Sequence, residues 1–251
     1  EGCDFLMLEL EHVQFTAGTT NIVKDVSLTI PEGRFVVITG PNGGGKTTLA
    51  KLIMGIEQPT GGAIRWNGAD VTHLSITERA RLGISYGFQA PPRFKGMRVS
   101  DLLQLAAGSD QQLTHDQCCA YLTKVGLCAR DYVGRDVDAS LSGGELKRIE
   151  IATILARGSG REHSLMIFDE PEAGIDLWSF AKLTETFRAL HAGGKATVII
   201  ISHQERIIRL ADEIVLIAGG EVKARGSVDE VFPLIMRDTV STCSAAEQEG
   251  L

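Results

Sequence analysis

The run Gly40-Pro-Asn-Gly-Gly-Gly-Lys-Thr47 constrains this chain more than any other feature. It fits the pattern G-x-x-x-x-G-K-[ST], a loop that cradles phosphates when a strand precedes it and a helix follows. Both neighbours are legible here. Phe35-Val-Val-Ile38 is a short continuous apolar run, suited to a strand buried on both faces, and Thr47 to Ile56 reads as a helix. Glycines let successive backbone N–H groups turn toward phosphate oxygens, and the N-terminus of the helix adds its positive dipole end. The cradle is therefore Gly40, Pro41, Asn42, Gly43, Gly44 and Gly45, continuing into Lys46, Thr47 and Thr48. Lys46 supplies a mobile cation for the outer phosphates, and the Thr47 hydroxyl is a ligand for magnesium, the expected counterion of a nucleoside triphosphate.

A second element, Leu165-Met-Ile-Phe-Asp-Glu170, is four apolar residues followed by two carboxylates. A buried strand ending there places Asp169 beside the magnesium and leaves Glu170 to polarise a water for attack on the γ phosphate. A third, Leu141-Ser-Gly-Gly-Glu145, opens the helix that runs through Leu146-Lys-Arg-Ile-Glu-Ile-Ala152. Free N–H groups of Gly143 and Gly144 and the Ser142 hydroxyl converge at that helix start, giving a second anion-binding end.

Around these motifs the chain alternates strands and helices, which argues for an α/β protein built on a parallel sheet. Alternation over Phe5 to Phe15 and Val26 to Ile30 gives a β-rich opening, with further strands at Ala63 to Trp66, Ile84 to Gln89, Leu165 to Phe168, Ala196 to Ser202 and Glu213 to Ala218. Helices are expected from Gly143 to Ala156 and from Leu177 to His191. Between Ala90 and Ser140 the pattern turns helical, marked by Val99, Leu102, Leu103, Leu105 and Ala106 and then Cys118, Tyr121, Leu122 and Val125. The expected layout is a core of residues 1–89 and 141–238, a helical subdomain of 90–140, and a loose tail of 239–251.

Composition excludes several alternatives. The 251 residues carry 25 Lys and Arg against 32 Asp and Glu, a formal charge of -7, so no basic surface for sequence-independent nucleic-acid binding is expected. No apolar run approaches the roughly 20 residues that span a bilayer, and direct membrane insertion is not expected. The acidic residues of the first ten positions are unlike a secretory leader. Cys3, Cys118, Cys119, Cys128 and Cys243 form an odd, sparse set without a CxxC pair, which suits a reducing, cytoplasmic setting. Cys118, Cys119 and Cys128 lie in the helical stretch and read as core packing. His12, His73, His115, His163 and His191 belong to no pattern and read as surface residues.

In order, the phosphate loop, Gln89, Leu141-Ser-Gly-Gly-Glu145, Asp169-Glu170, Gly174-Ile-Asp176 and His203 resemble the ATP-binding cassette (ABC) ATPases over about residues 8 to 226. The resemblance implies a P-loop NTPase fold with a RecA-like core, an antiparallel β subdomain and an inserted α-helical subdomain. It implies ATP and Mg2+ as cofactors, with the metal held by Thr47, Gln89 and Asp169, and hydrolysis of ATP to ADP and phosphate by Glu170, His203, Gln89 and Lys46. On the residues alone Gln89 reads as a capping residue and His203 as a surface-loop histidine. The resemblance instead makes Gln89 a sensor of the γ phosphate, His203 a switch residue on it, and Asp176 a coupling residue between two copies. Ser142, Gly143, Gly144 and Glu145 would face the nucleotide of a second copy, so the expected working unit is an ATP-sandwich dimer.

Within that family the chain looks most like the SufC-type ATPase of iron-sulfur cluster assembly, which works with a SufB-like or SufD-like scaffold. Ala17 stands where relatives usually place an adenine-stacking aromatic, Gly87-Phe-Gln-Ala-Pro-Pro-Arg-Phe-Lys-Gly96 is similar to the SufC segment after the glutamine, and Glu145 stands where importers more often have Gln. The alternative is the nucleotide-binding subunit of a membrane ABC transporter.

Overall fold

The computed structural model describes residues 7–108, 112–159, 161, 163–194 and 196–236. Two long strands open the chain, β1 (Met7–Ala17) and β2 (Thr20–Pro31), paired antiparallel. β3 (Phe35–Thr39) delivers the chain to the phosphate loop, and α1 (Lys46–Met54) leaves it. There follow β4 (Gly61–Trp66), β5 (Ala69–Asp70), α2 (Ile76–Arg81) and β6 (Ile84–Gly87). Three helices come next, α3 (Val99–Ala107), α4 (His115–Lys124) and α5 (Ala129–Tyr132). The second half alternates α6 (Gly143–Gly158), β7 (Ser164–Asp169), α7 (Leu177–Ala192), β8 (Ala196–Ile201) and α8 (Glu205–Ile208) before a hairpin of β9 (Glu213–Ala218) and β10 (Glu221–Gly226).

The sheet order is β5-β4-β1-β2-β10-β9-β3-β8-β7-β6. The run from β9 through β3, β8 and β7 to β6 is parallel, and β10 meets β2 in parallel at Glu221 and Asp25; β10 turns back antiparallel on β9, β1 is antiparallel to β2 and β4, and β4 to β5. The sheet is thus mixed, with a parallel core beside the antiparallel β subdomain that the resemblance implies. Tight turns at Asn67-Gly68 and Gly219-Gly220 join antiparallel neighbours, whereas parallel strands need helical crossovers.

Residues in the parallel strands show why those segments are continuously apolar. Phe35 and Val37 of β3 join Met166, Phe168, Val198 and Ile200 in one core with α3, α4, α6 and α7. Val36 and Ile38, one residue out of phase, join Leu165, Ile167, Ile199 and Ile201 in a second core with α1, β1 and β2. Each strand is covered on both faces, so neither parity can be polar. Full burial of one such side chain is worth about 2 kcal/mol relative to exposure.

Element boundaries moved by one to several residues from the expectation, most at β2, which begins at Thr20 rather than Val26. α2, α8, β5 and β10 carry no long periodic run and were not expected. Phe5, Cys3, Cys243 and residues 239–251 lie outside the described residues. Cys118 is buried as expected, but Cys128 is exposed, which corrects its reading as core. His12 and His163 are exposed but partnered, with Asp25 and Glu32; His191 is half-buried against Phe35 and 3.5 Å from Asp212. Among the described residues no group of His, Cys, Asp and Glu is arranged to hold a metal by itself, and no helix is long and apolar enough to cross a membrane.

Candidate active site

Parallel pairing of β3, β8, β7 and β6 brings four strand ends to one edge of the sheet. Ile38 and Asp169 both sit opposite Ile201, and Gly87 opposite Phe168. The segments that leave these ends carry the phosphate loop, His203, Glu170 and Gln89, and the crevice beyond parallel carboxyl ends is where α/β sheets take ligands.

The loop has the backbone its sequence demands. Gly40 has φ 135°, and a Cβ there would lie 1.9 Å from the carbonyl oxygen of Ile217 on β9. Only glycine passes so close to a neighbouring strand. Lys46 is 6 % exposed, and its Nζ donates to the carbonyls of Gly40 at 2.7 Å and Pro41 at 2.8 Å. Burial lowers its pKa, while the charges of Glu170 and Asp169 oppose that shift. The ammonium is bound to the loop backbone, within the field of both carboxylates.

Asp169 is fully buried at the end of β7. Its Oδ1 accepts from the Thr47 hydroxyl at 3.2 Å and its Oδ2 from the Tyr86 hydroxyl at 2.9 Å. Burial raises its pKa, and the two hydroxyls pull it back toward the ionised form. Thr47 and Asp169, 122 positions apart, thus present adjacent hard oxygens at the loop, the donor chemistry that magnesium takes. Tyr86 was not singled out in the sequence; its only signal there is its place three residues before Gln89.

Glu170 follows with φ 45°, a left-handed conformation costing on the order of 1–3 kcal/mol for a residue with a side chain. Its N–H donates to Ile201 at 3.0 Å, which fixes the turn, and its carboxylate accepts from the Gln89 amide at 2.8 Å. His203 follows β8, held by Ser202, whose hydroxyl donates to Glu172 at 2.6 Å and accepts the Gln204 N–H at 3.0 Å. Burial foremost, with the Lys46 charge, lowers the His203 pKa and favours the neutral ring, while the Glu170 charge opposes the shift.

The helix-start segment is built separately. Ser142 and Glu145 form a reciprocal cap on α6, the hydroxyl accepting the Glu145 N–H at 3.3 Å and the carboxylate accepting the Ser142 N–H at 2.7 Å. Tyr132 donates to the Glu145 carboxylate and Arg135 stands 3.6 Å from it. The Tyr132 hydroxyl foremost, with Ser142, pulls the Glu145 pKa down to about 2. Asp176 caps α7, accepting the N–H groups of Trp178 at 3.0 Å and Ser179 at 2.9 Å. Gly144 passes so near the Gly174 carbonyl that a Cβ would lie 2.4 Å from it. Among the described contacts none joins Ser142–Glu145 to the phosphate loop of the same chain. The expected site residues thus fall into two groups in this chain, one with Lys46, Thr47, Gln89, Asp169, Glu170 and His203, the other with Ser142, Gly143, Gly144, Glu145 and Asp176.

The ABC transporter family model matches residues 23–173. An uncharacterized ABC transporter ATP-binding protein of Methanocaldococcus jannaschii is 39% identical over 232 residues, covering 90% of this chain and 91% of that protein. The sulfate/thiosulfate import ATP-binding protein CysA of Escherichia coli (strain K12) is 29% identical over 232 residues; the match takes in 90% of this chain but 62% of CysA. Among solved structures, a dimeric ATP-binding cassette in a post-hydrolysis state with ADP and Pi superposes with TM-score 0.78 at 23% identity, over 88% of this chain and 99% of that one. A bacterial Atm1-family ABC exporter with ATP bound gives TM-score 0.78 at 22% identity, over 100% of this chain and 43% of the exporter chain. The names so found are those of transporter ATPases and give the SufC-type assignment no support. The strand-end crevice, the family match and the fold together place this chain in the ABC transporter family, as a P-loop ATPase cassette.

Proposed function

We propose that this chain is the ATP-hydrolysing subunit of a multi-component ABC system, in which two copies close on two ATP molecules and pass that closure to a partner protein. One observation carries the reading: Thr47, Asp169, Gln89 and Glu170 are hydrogen-bonded in two pairs beside Lys46, at the mouth of a phosphate loop. Magnesium entering with ATP would be held by Thr47, Asp169 and Gln89 and would offset negative charge on the outer phosphates. In this reading the loop N–H groups and Lys46 hold the phosphates. Glu170 accepts the proton of the attacking water, and His203, neutral, donates toward the γ phosphate. Ser142, Gly143, Gly144 and Glu145 serve the nucleotide of the second copy, which makes a single chain half of each site. Leu177 and Trp178, 65% and 85% exposed beside Asp176, are the apolar surface such a pair would cover.

Core residues 1–89 and 141–238 would carry the nucleotide, and the helical subdomain of 90–140 would carry the partner. The docking surface is the irregular segment after β6, where Phe88 and Phe94 are each 38% exposed and Arg93 is tied to the Asp138 carbonyl at 2.8 Å. The names of the relatives favour a membrane-spanning transporter domain as that partner. A second reading, a SufB-like or SufD-like scaffold in iron-sulfur cluster assembly, is favoured by Ala17, exposed at the end of β1 with no ring to stack on adenine, and by the proline-containing segment after Gln89. Affinity purification from the native host separates them. A multi-span protein recovered from the membrane fraction supports transport; a soluble partner, with ATP-dependent exposure of its thiols and iron uptake on reconstitution, supports assembly.

A further inference from the structure

Two charged residues on α6, Lys147 and Glu150, were given no role by the sequence, yet they touch the backbone on which two of its motifs stand. Lys147 is 2% exposed, and its Nζ donates to the carbonyl of Asp169 at 2.9 Å and to the carbonyl of Phe88. Glu150, one turn further along, accepts the Phe88 N–H at 2.9 Å, and its other oxygen lies 3.7 Å from Lys147 Nζ. Both backbone groups of the residue before Gln89 and the carbonyl of the residue before Glu170 are thus held from one helical turn. Gln89 and Glu170 are themselves joined at 2.8 Å, which closes a ring: Lys147, Phe88, Gln89, Glu170, Asp169 and back to Lys147.

Stability alone is a poor reason for such a pair. Replacing a buried ion pair with apolar residues of like volume is often neutral or stabilising by about 1–4 kcal/mol. Phe88 adds little packing of its own, being 38% exposed with its ring edge-on to Tyr86 at 5.0 Å. What the pair does is geometric. Its helix begins at Ser142–Glu145, the end that in the reading above serves the second copy, and its next turn grips the backbone immediately before Gln89 and Glu170.

We propose that Lys147 and Glu150 are positioning residues for hydrolysis, setting the places of Gln89 and Glu170 through the backbone of Phe88 and Asp169 and carrying displacement of the Ser142–Glu145 end of α6 to them. This rests on the reading of Gln89 and Glu170 given above. The test is steady-state ATPase kinetics and direct ATP binding for Glu150→Ala, Glu150→Gln and the double variant Lys147→Met with Glu150→Leu, beside the wild type and Glu170→Gln. Glu150→Gln keeps an oxygen acceptor for the Phe88 N–H, and the double variant leaves no unpaired buried charge, so it stands in should the alanine variant not fold. The expected result is a loss of kcat of about tenfold or more in the alanine and double variants, with KM and ATP affinity within about twofold, because the phosphate loop is untouched. Glu150→Gln should recover most of the lost kcat. Unchanged kcat in the folded double variant overturns the proposal, as does a change confined to KM, or a loss in Glu150→Gln as large as in Glu150→Ala. Should the wild type not hydrolyse ATP, or Glu170→Gln hydrolyse it equally fast, the reading of the site fails instead.

Discussion

The side-chain amide of Gln89 donates to the carboxylate of Glu170 at 2.8 Å, joining residues 81 positions apart in the chain. Parallel pairing of β6 with β7 makes this possible, since both residues leave the sheet at the same edge. The bond spends one carboxylate lone pair and aims the rest of the group, while the left-handed φ of Glu170 holds it clear of the strand direction. Glu170→Gln should lower ATP hydrolysis by about 10²–10⁴-fold, the usual contribution of a general base. ATP binding should survive, so the variant accumulates as an ATP-stabilised dimer. Size-exclusion chromatography with no ATP-dependent shift would count heavily against the two-copy reading.

Lys46 donates to the carbonyls of Gly40 and Pro41, and with a triphosphate present those donors become free to meet phosphate oxygens. A hydrogen bond to a charged group contributes about 1.5–3 kcal/mol. Lys46→Ala should therefore weaken ATP binding by about 10- to 100-fold in equilibrium titration. An affinity within a factor of about two of wild type would remove Lys46 from the phosphate site.

Arg79 is a structural counterpart, fully buried on α2. Its guanidinium donates to the carbonyls of Leu52 at 2.7 Å, Ile53 at 2.8 Å, Thr72 at 2.7 Å and Leu74 at 3.1 Å. These include the last carbonyls of α1, of which that of Leu52 also accepts the Gly55 N–H at 3.1 Å. Burial lowers its pKa to about 10, well above neutrality, so the charge is retained. Arg79→Met should cost about 3 kcal/mol by removing the buried donor that Ile53, Thr72 and Leu74 accept from, a fall in Tm of about 6–12 °C for a chain of this size. Calorimetry with an unchanged Tm would refute this account of α2.

Burial raises the Glu150 pKa to about 7, against a pull downward from Lys147, while Asp169 adds to the rise. An unfolded glutamate titrates near 4.5, so between about pH 4.5 and 7 the folded chain binds more protons than the unfolded one. The contribution of this group to stability is then complete below the unfolded pKa and is lost as pH rises through about 7. Glu150→Gln cannot titrate and should flatten the dependence of Tm on pH across that window. Parallel curves for variant and wild type would show that Glu150 is ionised throughout.

The phosphate loop, Asp169-Glu170 and Leu141-Ser-Gly-Gly-Glu145 were legible in the sequence because each is contiguous, and its chemistry depends on local backbone: glycines that admit positive φ, a strand that ends, a helix that begins. The parallel strands were legible for a related reason, since burial on both faces leaves no polar parity. Lys147, Glu150, Tyr86 and Arg79 were not legible. Their partners lie many positions away, and a buried lysine on a helix has the same sequence appearance as a solvated one. β10 escaped for the same reason, being recognisable only as the strand that pairs with β9. Ser142–Glu145 and Asp176 show the remaining division. The sequence by itself determined the local devices, a phosphate cradle, a paired acid and a capped helix start. The tertiary structure alone decided that the first two share one sheet edge while the third stands apart from the phosphate loop, because strand order and register are set by packing between distant segments and not by any segment's own residues.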